Sequence, residues 1–206
     1  MNDAKRKQER WKDLGFTMFL AFSLVIIFYL VPANTFNPYS AVLLFVLIVP
    51  TVMALVHGAP FVPTPMEAVE KMLKTANLKE GEKVYDIGCG DGRMVYLAAK
   101  EYKATATGYE LSPLVYALAR IRKLLWGSKA KIVFGNFKTK NLRDADVIMC
   151  YLLPETLARL QEKLDTELKK GARVISYAFP IGSWEAYKKV EKDGPKNIAP
   201  IWVYQK

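Results

Sequence analysis

Val84-Tyr85-Asp86-Ile87-Gly88-Cys89-Gly90-Asp91-Gly92-Arg93 is the stretch that decides the fold. A strand pattern runs into three alternate glycines, and a helix pattern follows over residues 93–102. Glycines are needed where the backbone turns tightly and a ligand must approach it closely. A dinucleotide fingerprint requires G-x-G-x-x-G. Here the third glycine comes one residue early, and Arg93 stands where that glycine should be. Asp86 and Asp91 also place two carboxylates at the loop, which disfavours a phosphate and suits a cationic or amine-bearing ligand. In open α/β sheets such a ligand lies outside the carboxyl ends of the strands.

Outward from this loop, strand and helix patterns alternate. Thr64-Pro65-Met66-Glu67 reads as a capping box with proline at the first helical position. Strands are predicted over residues 83–87, 104–109, 131–134, 146–151 and 173–178. Ser112-Pro113 and Pro154 open the intervening helices, and Gly171 follows the last of them. Two short runs, 186–190 and 201–204, flank Asp193-Gly194-Pro195 and read as a hairpin. The pattern is that of an α/β fold: a doubly wound, mostly parallel sheet of seven strands ending in an antiparallel pair. Glu110 ends the second strand. A carboxylate there can accept both ribose hydroxyls of an adenosine, or it can cap the helix that starts near Ser112.

The chain has 206 residues, with 30 Lys+Arg against 20 Asp+Glu. After Asp13 the next charged side chain is Glu67, leaving 53 consecutive uncharged positions. At roughly a quarter charged residues in an ordinary soluble domain, such a gap excludes a purely soluble globule, and the hydrophobicity excludes disorder. The block contains two apolar runs, 14–31 and 40–56, separated by the turn-rich 32–38. They predict a two-helix transmembrane hairpin within residues 1–58, ahead of a domain over residues 59–206. The first run is too long for a signal-peptide core and lacks a cleavage site. The leader carries five basic residues, the loop at 32–39 none, and Lys71, Lys74, Lys79 and Lys83 follow. Both termini and the domain are therefore expected on the cytoplasmic side of a cell (inner) membrane, with the lipid bilayer as partner. No compact Arg/Lys cluster with interleaved aromatics is evident, so nucleic acid is not an expected partner. Cys89 and Cys150, the only cysteines, sit in stretches that read as buried, and His57 has no second ligand near it, so no metal site is expected. Hydrolase constellations of the Ser-His-Asp or Cys-His kind are absent.

Asp-Ile-Gly-Cys-Gly-Asp-Gly over residues 86–92, with Glu110 ending the next strand, resembles the class I S-adenosylmethionine-dependent methyltransferases over roughly residues 60–206. A closer resemblance is to the small membrane-anchored protein lysine methyltransferases that modify the ATP synthase c subunit and the adenine nucleotide translocase, and to their prokaryotic relatives. The residues that carry it are Phe61-Val62-Pro63-Thr64-Pro65, the glycine loop, Gly108-Tyr109-Glu110-Leu111-Ser112-Pro113, Gly171-Ala172-Arg173-Val174-Ile175, Phe179-Pro180 and Trp184. The sequence departs from the family in its two predicted spans and in Asn136, where an acid is more usual.

The resemblance implies a Rossmann-like sheet and S-adenosyl-L-methionine as cofactor. Asp86, Gly88, Gly90 and Gly92 would shape the methionine pocket, and Asp91 would meet the ammonium or set the loop. Thr64 would reach the methionine carboxylate, and Glu110 the ribose. Asn136 and Phe137 would border the adenine, with Leu111 on its other face; Phe137 and Leu111 fit a place in the core equally well. The loop Tyr151-Leu152-Leu153-Pro154-Glu155 would face the acceptor. Tyr151 would orient the amine and Glu155 position the incoming ammonium, although an acid in a first helical turn is also ordinary. The expected activity is methylation of a protein lysine, in a membrane protein near the surface. Methylation of a lipid or small molecule, and a cofactor-binding scaffold without catalysis, remain alternatives.

Overall fold

The computed structural model describes residues 61–192 and 198–206, together with positions 38, 39, 42 and 45. The chain divides into two compact units, Met1–Ile48 and Val49–Lys206. In the first, the four described positions are helical and exposed. The rest of the two apolar runs, His57 and the turn Asp193-Gly194-Pro195 lie outside the described residues. Among the described residues no helix is long and apolar enough to cross a membrane.

The second unit contains helix α1 (Met66–Ala76), β1 (Lys83–Ile87), α2 (Arg93–Glu101), β2 (Thr105–Glu110), α3 (Pro113–Leu125) and β3 (Lys131–Phe134). A 3-10 turn (Phe137–Thr139), β4 (Val147–Cys150), α4 (Pro154–Glu167), β5 (Arg173–Tyr177), β6 (Lys188–Val190) and β7 (Ile201–Gln205) follow. The strands form one seven-stranded sheet in the order β3-β2-β1-β4-β5-β7-β6. β1 to β5 are parallel, and β7 runs antiparallel to both β5 and β6. The order reverses between β1 and β4, the switch point where ligands bind in such sheets.

The pleat sends alternate side chains to two cores. On one face Val69, Met72 and Leu73 of α1 and Met94, Val95 and Ala98 of α2 pack with Val84, Val147, Met149 and Ile175. On the other, Leu157, Leu160 and Leu164 of α4 pack with Ile87, Ile148, Val174 and Tyr204. Each fully buried leucine contributes about 1.5–3 kcal/mol. β4, covered on both faces, is buried at all four positions. α3 differs from its neighbours, since Ala119 is its only buried residue.

Two local expectations are corrected. The capping box does not form. Pro65, at φ −53° and ψ 142°, is the N-cap, and it makes no side-chain cap bond. Proline disfavours the helical conformation in the residue before it, so Thr64 lies too far back to cap, and the amides of Ala68 and Val69 donate to the Pro65 carbonyl instead. Ser112 does occupy the N-cap of α3, with proline after it, but its hydroxyl makes no cap bond. The strand boundaries otherwise fall within two residues of the predicted ones, and the run at 186–190 pairs only from Lys188.

Candidate active site

The loop between β1 and α2 lies at the carboxyl end of β1. Gly88 N and Cys89 N donate to the Tyr109 carbonyl at 3.0 and 2.9 Å, which folds the loop toward β2. Cys89, buried and free, fits there because Gly108 has no side chain: a Cβ would lie 2.6 Å from the Cys89 Sγ. Gly90 has φ +57°, a region costly for other residues, and a Cβ on it would stand 2.6 Å from the Phe61 ring. Residue 61 therefore lies over the glycine loop. Gly92, at φ +82°, is the N-cap of α2 and has the Tyr96 ring against its α-carbon.

The two loop carboxylates have different surroundings. Asp91, 2% exposed, is gripped by Arg93 through Nε at 2.9 and 3.1 Å and through Nη2 at 2.6 Å, and Arg122 of α3 donates to the same Oδ2. Burial works to raise its pKa, but the hydrogen bonds and charge of Arg93, with Arg122 beyond, hold the carboxyl below its usual value. Arg93 Nη1 also donates to the Thr64 carbonyl at 2.6 Å. Asp91 therefore sets the loop and fixes Arg93, which in turn holds the segment ahead of α1, and its carboxylate is not left to meet an ammonium. Asp86 is also buried, at 6% exposed, yet its carboxylate accepts no hydrogen bond among the described residues. Burial, with Glu110 and Asp91 nearby, pushes its pKa up to about 8. An isolated buried carboxylate is costly, and the group that would relieve it is a cation.

Glu110 closes this arrangement. Its Oε2 accepts from Gly90 N at 3.0 Å and its Oε1 from Ser112 N at 2.8 Å. The carboxylate thus tethers the glycine loop and the start of α3 together. Burial raises its pKa, and the amides of Ser112 and Gly90 oppose the rise. Each oxygen keeps a second lone pair, which can accept from a ligand hydroxyl. Leu111, 41% exposed, is not part of the core. Asn136, beyond β3, accepts from Lys138 N at 2.9 Å through Oδ1 and so caps the 3-10 turn that carries the half-buried Phe137.

β4 delivers the other side of the site. Tyr151 is half-buried and meets Tyr177 edge-on, with ring centroids 5.0 Å apart. Leu152 packs beside the glycine loop, since a Cβ on Gly88 would lie 3.0 Å from its Cδ2. Pro154 occupies the first turn of α4 together with Glu155, and both are exposed. The structure therefore places Asp86, Glu110, Asn136 and Tyr151 at the carboxyl ends of β1, β2, β3 and β4, along the edge of the sheet where the order reverses, while Thr64, ahead of α1, is joined to the loop through Arg93.

Arg122 and Tyr177 were missed in the sequence. Arg122 looks like one base in a basic helix, and only its reach across α3 reveals it. The alternation of opposite charges in Asp91-Gly92-Arg93 was a usable signal for the Arg93 pair.

The profile described as the ANTKMT methyltransferase domain matches residues 86–188. Over 156 residues the chain is 38% identical to a protein-lysine N-methyltransferase of Saccharolobus islandicus, covering 74% of this chain and 96% of that one. The chain belongs to the ANTKMT methyltransferase domain family. It is an S-adenosylmethionine-dependent methyltransferase, and Asp86, with no ion-pair partner among the described residues, Glu110 and the crowded glycine loop fit that cofactor. A more distant relative is the adenine nucleotide translocase lysine N-methyltransferase of Mus musculus, 33% identical over 147 residues; the chain spans 62% of its length. Among solved structures, an RNA methyltransferase from Salinibacter ruber in complex with S-adenosyl-L-homocysteine is 30% identical. It superposes with a TM-score of 0.65 over 70% of this chain and 93% of that one.

Proposed function

We propose that the chain transfers the methyl group of S-adenosylmethionine to the side-chain nitrogen of a lysine in a membrane protein. The observation that carries the reading is the similarity to the Saccharolobus lysine methyltransferase, which spans nearly all of that protein. Asp86 would receive the ammonium of the cofactor, and Glu110 the ribose hydroxyls. Gly88, Gly90 and Gly92 would line the methionine chain, with Thr64 at its carboxylate. Leu111 and Phe137 would cover the adenine, and the Asn136 amide nitrogen would donate to it.

Methyl transfer is a direct displacement: a carbon–sulfur bond breaks as a carbon–nitrogen bond forms. It needs alignment more than acid or base groups. The lysine must first lose a proton to solvent, and an apolar, aromatic-walled entrance favours the neutral amine. Tyr151 and Tyr177 would form that wall and aim the nitrogen lone pair, Pro154 would fix the turn beside them, and Glu155 would attract the incoming ammonium.

The uncharged residues 14–66 support a membrane location, and the basic leader supports a cytoplasmic domain on the inner face. A second reading, methylation of RNA, is favoured by the Salinibacter relative. Membranes incubated with the chain and methyl-labelled S-adenosylmethionine should yield methyl-lysine in a membrane protein on peptide mass spectrometry. Label confined to extracted lipid or to RNA would overturn the lysine assignment.

A further inference from the structure

We propose that α3 lays its outer face on the surface of an anionic lipid bilayer. The inference rests on the reading that the chain works at a membrane, and it names the part of the methyltransferase domain that touches the lipid. Leu114, Leu118, Ile121 and Leu125 recur at intervals of four, three and four residues, which makes one stripe along the helix. They are 44%, 36%, 56% and 77% exposed, and Leu124, 80% exposed, widens the stripe at its carboxyl end. Residues 111–134 supply eight of the fifteen large hydrophobic side chains exposed among the described residues.

The charge around the stripe points to one kind of occupant. Residues 111–143 contain eight Lys and Arg and no acid, whereas elsewhere in residues 59–206 seventeen bases balance seventeen acids. The whole net charge of the domain therefore falls within the segment that carries this apolar stripe. Aliphatic side chains along one face with exposed bases beside them make up a helix that lies in the plane of an anionic interface. Arg120, Lys129 and Lys131 are exposed and able to meet lipid phosphates. Arg122 turns inward to Asp91 and has no part in this surface. RNA would also attract the bases, but RNA is read by aromatic stacking and base-edge hydrogen bonds. A row of leucine and isoleucine has nothing to meet there. The 53 uncharged residues of the same chain suit the same surroundings as this face.

The test uses the full chain in phosphatidylcholine vesicles with and without phosphatidylglycerol. An environment-sensitive fluorophore is attached at Ile121→Cys, and in a second protein at Glu185→Cys on the other face of the sheet. Cys89 and Cys150 are buried and escape labelling. With phosphatidylglycerol present, the probe at 121 should shift to the blue and be quenched by brominated acyl chains, while the probe at 185 stays water-like. Arg120→Gln/Lys129→Gln/Lys131→Gln should remove the dependence on phosphatidylglycerol and leave cofactor affinity unchanged. If the chain floats with vesicles but the probe at 121 stays water-like, the docking face is wrong and the membrane reading stands. A chain that does not float overturns both. A response of the probe at 121 to single-stranded RNA in place of vesicles overturns the lipid assignment, as does retained dependence on phosphatidylglycerol in the triple variant.

Discussion

Arg122, on α3, donates to the same Asp91 carboxylate oxygen that Arg93 holds from the start of α2. Two helices and the glycine loop thus share one buried acid. Asp91→Ala would leave both guanidinium groups without their partner, at a cost of about 2 kcal/mol once the partial exposure of the arginines is discounted. Arg122→Gln should cost less, because Arg93 remains. Urea denaturation of the three proteins would show this ranking, and equal losses for both variants would contradict the shared-acid arrangement.

Asp86 should set stability against cofactor binding. Its folded pKa of about 8 lies above the ordinary 3.8, so between those values the folded state holds a proton that the unfolded chain has lost. Stability should therefore be fullest in acid and fall as pH rises from about 4 to about 8. Asp86→Asn should flatten that fall and melt higher than wild type at pH 8. The same change should weaken S-adenosylmethionine binding by about tenfold to a hundredfold, the value of a hydrogen bond to a charged group. Melting curves at several pH values and calorimetry are the measurements, and a variant that binds normally would refute the ammonium role.

Cofactor affinity of the wild-type chain should rise with pH from 6 toward 7.5, approaching tenfold per unit, because binding to the ionised carboxylate releases its proton. Proton release measured in buffers of different ionisation enthalpy provides the check. No release at pH 7 would show that Asp86 is already ionised or stays protonated.

Gly90→Ala should fail in two ways that can be separated. The new Cβ would collide with the Phe61 ring, and the backbone at φ +57° would be strained. Strain alone costs roughly 1–2 kcal/mol. Phe61→Ala should relieve the collision but not the strain, so the double variant should recover only part of the stability lost. Full recovery, or none, would mean that one of the two causes is absent.

Tyr151→Phe should leave cofactor affinity unchanged and lower kcat by about a hundredfold, the scale of misaligned transfer. A loss confined to KM for the protein substrate would assign Tyr151 to binding alone.

The parts of the fold legible in the sequence were those with strong local signals. β1, the glycine loop and α2 follow from one run of ten residues, and Glu110 from its place at the end of the next strand. The Thr64 capping box misled, because the motif matched while Pro65 moved the helix start by a residue. The division of labour between Asp86 and Asp91 was invisible, because it depends on Arg122, which is 31 residues from Asp91. The exposed face of α3 escaped for the opposite reason. Its spacing is that of an ordinary core helix, and only the accessibility of Leu118, Ile121 and Leu125 shows that this face stands outside the core of the described residues.

The strand order β5-β7-β6 also governs when the domain can be completed. β7 is the last of these seven strands in the chain, yet among the described residues it is the sole neighbour of β6 and seals the open side of β5. Until residues 201–205 leave the ribosome, β6 has no place in the sheet and β5 stands as a bare edge, exposed to wrong pairing. This half of the domain must therefore form after β1 to β4, which can assemble on the nascent chain before β7 emerges.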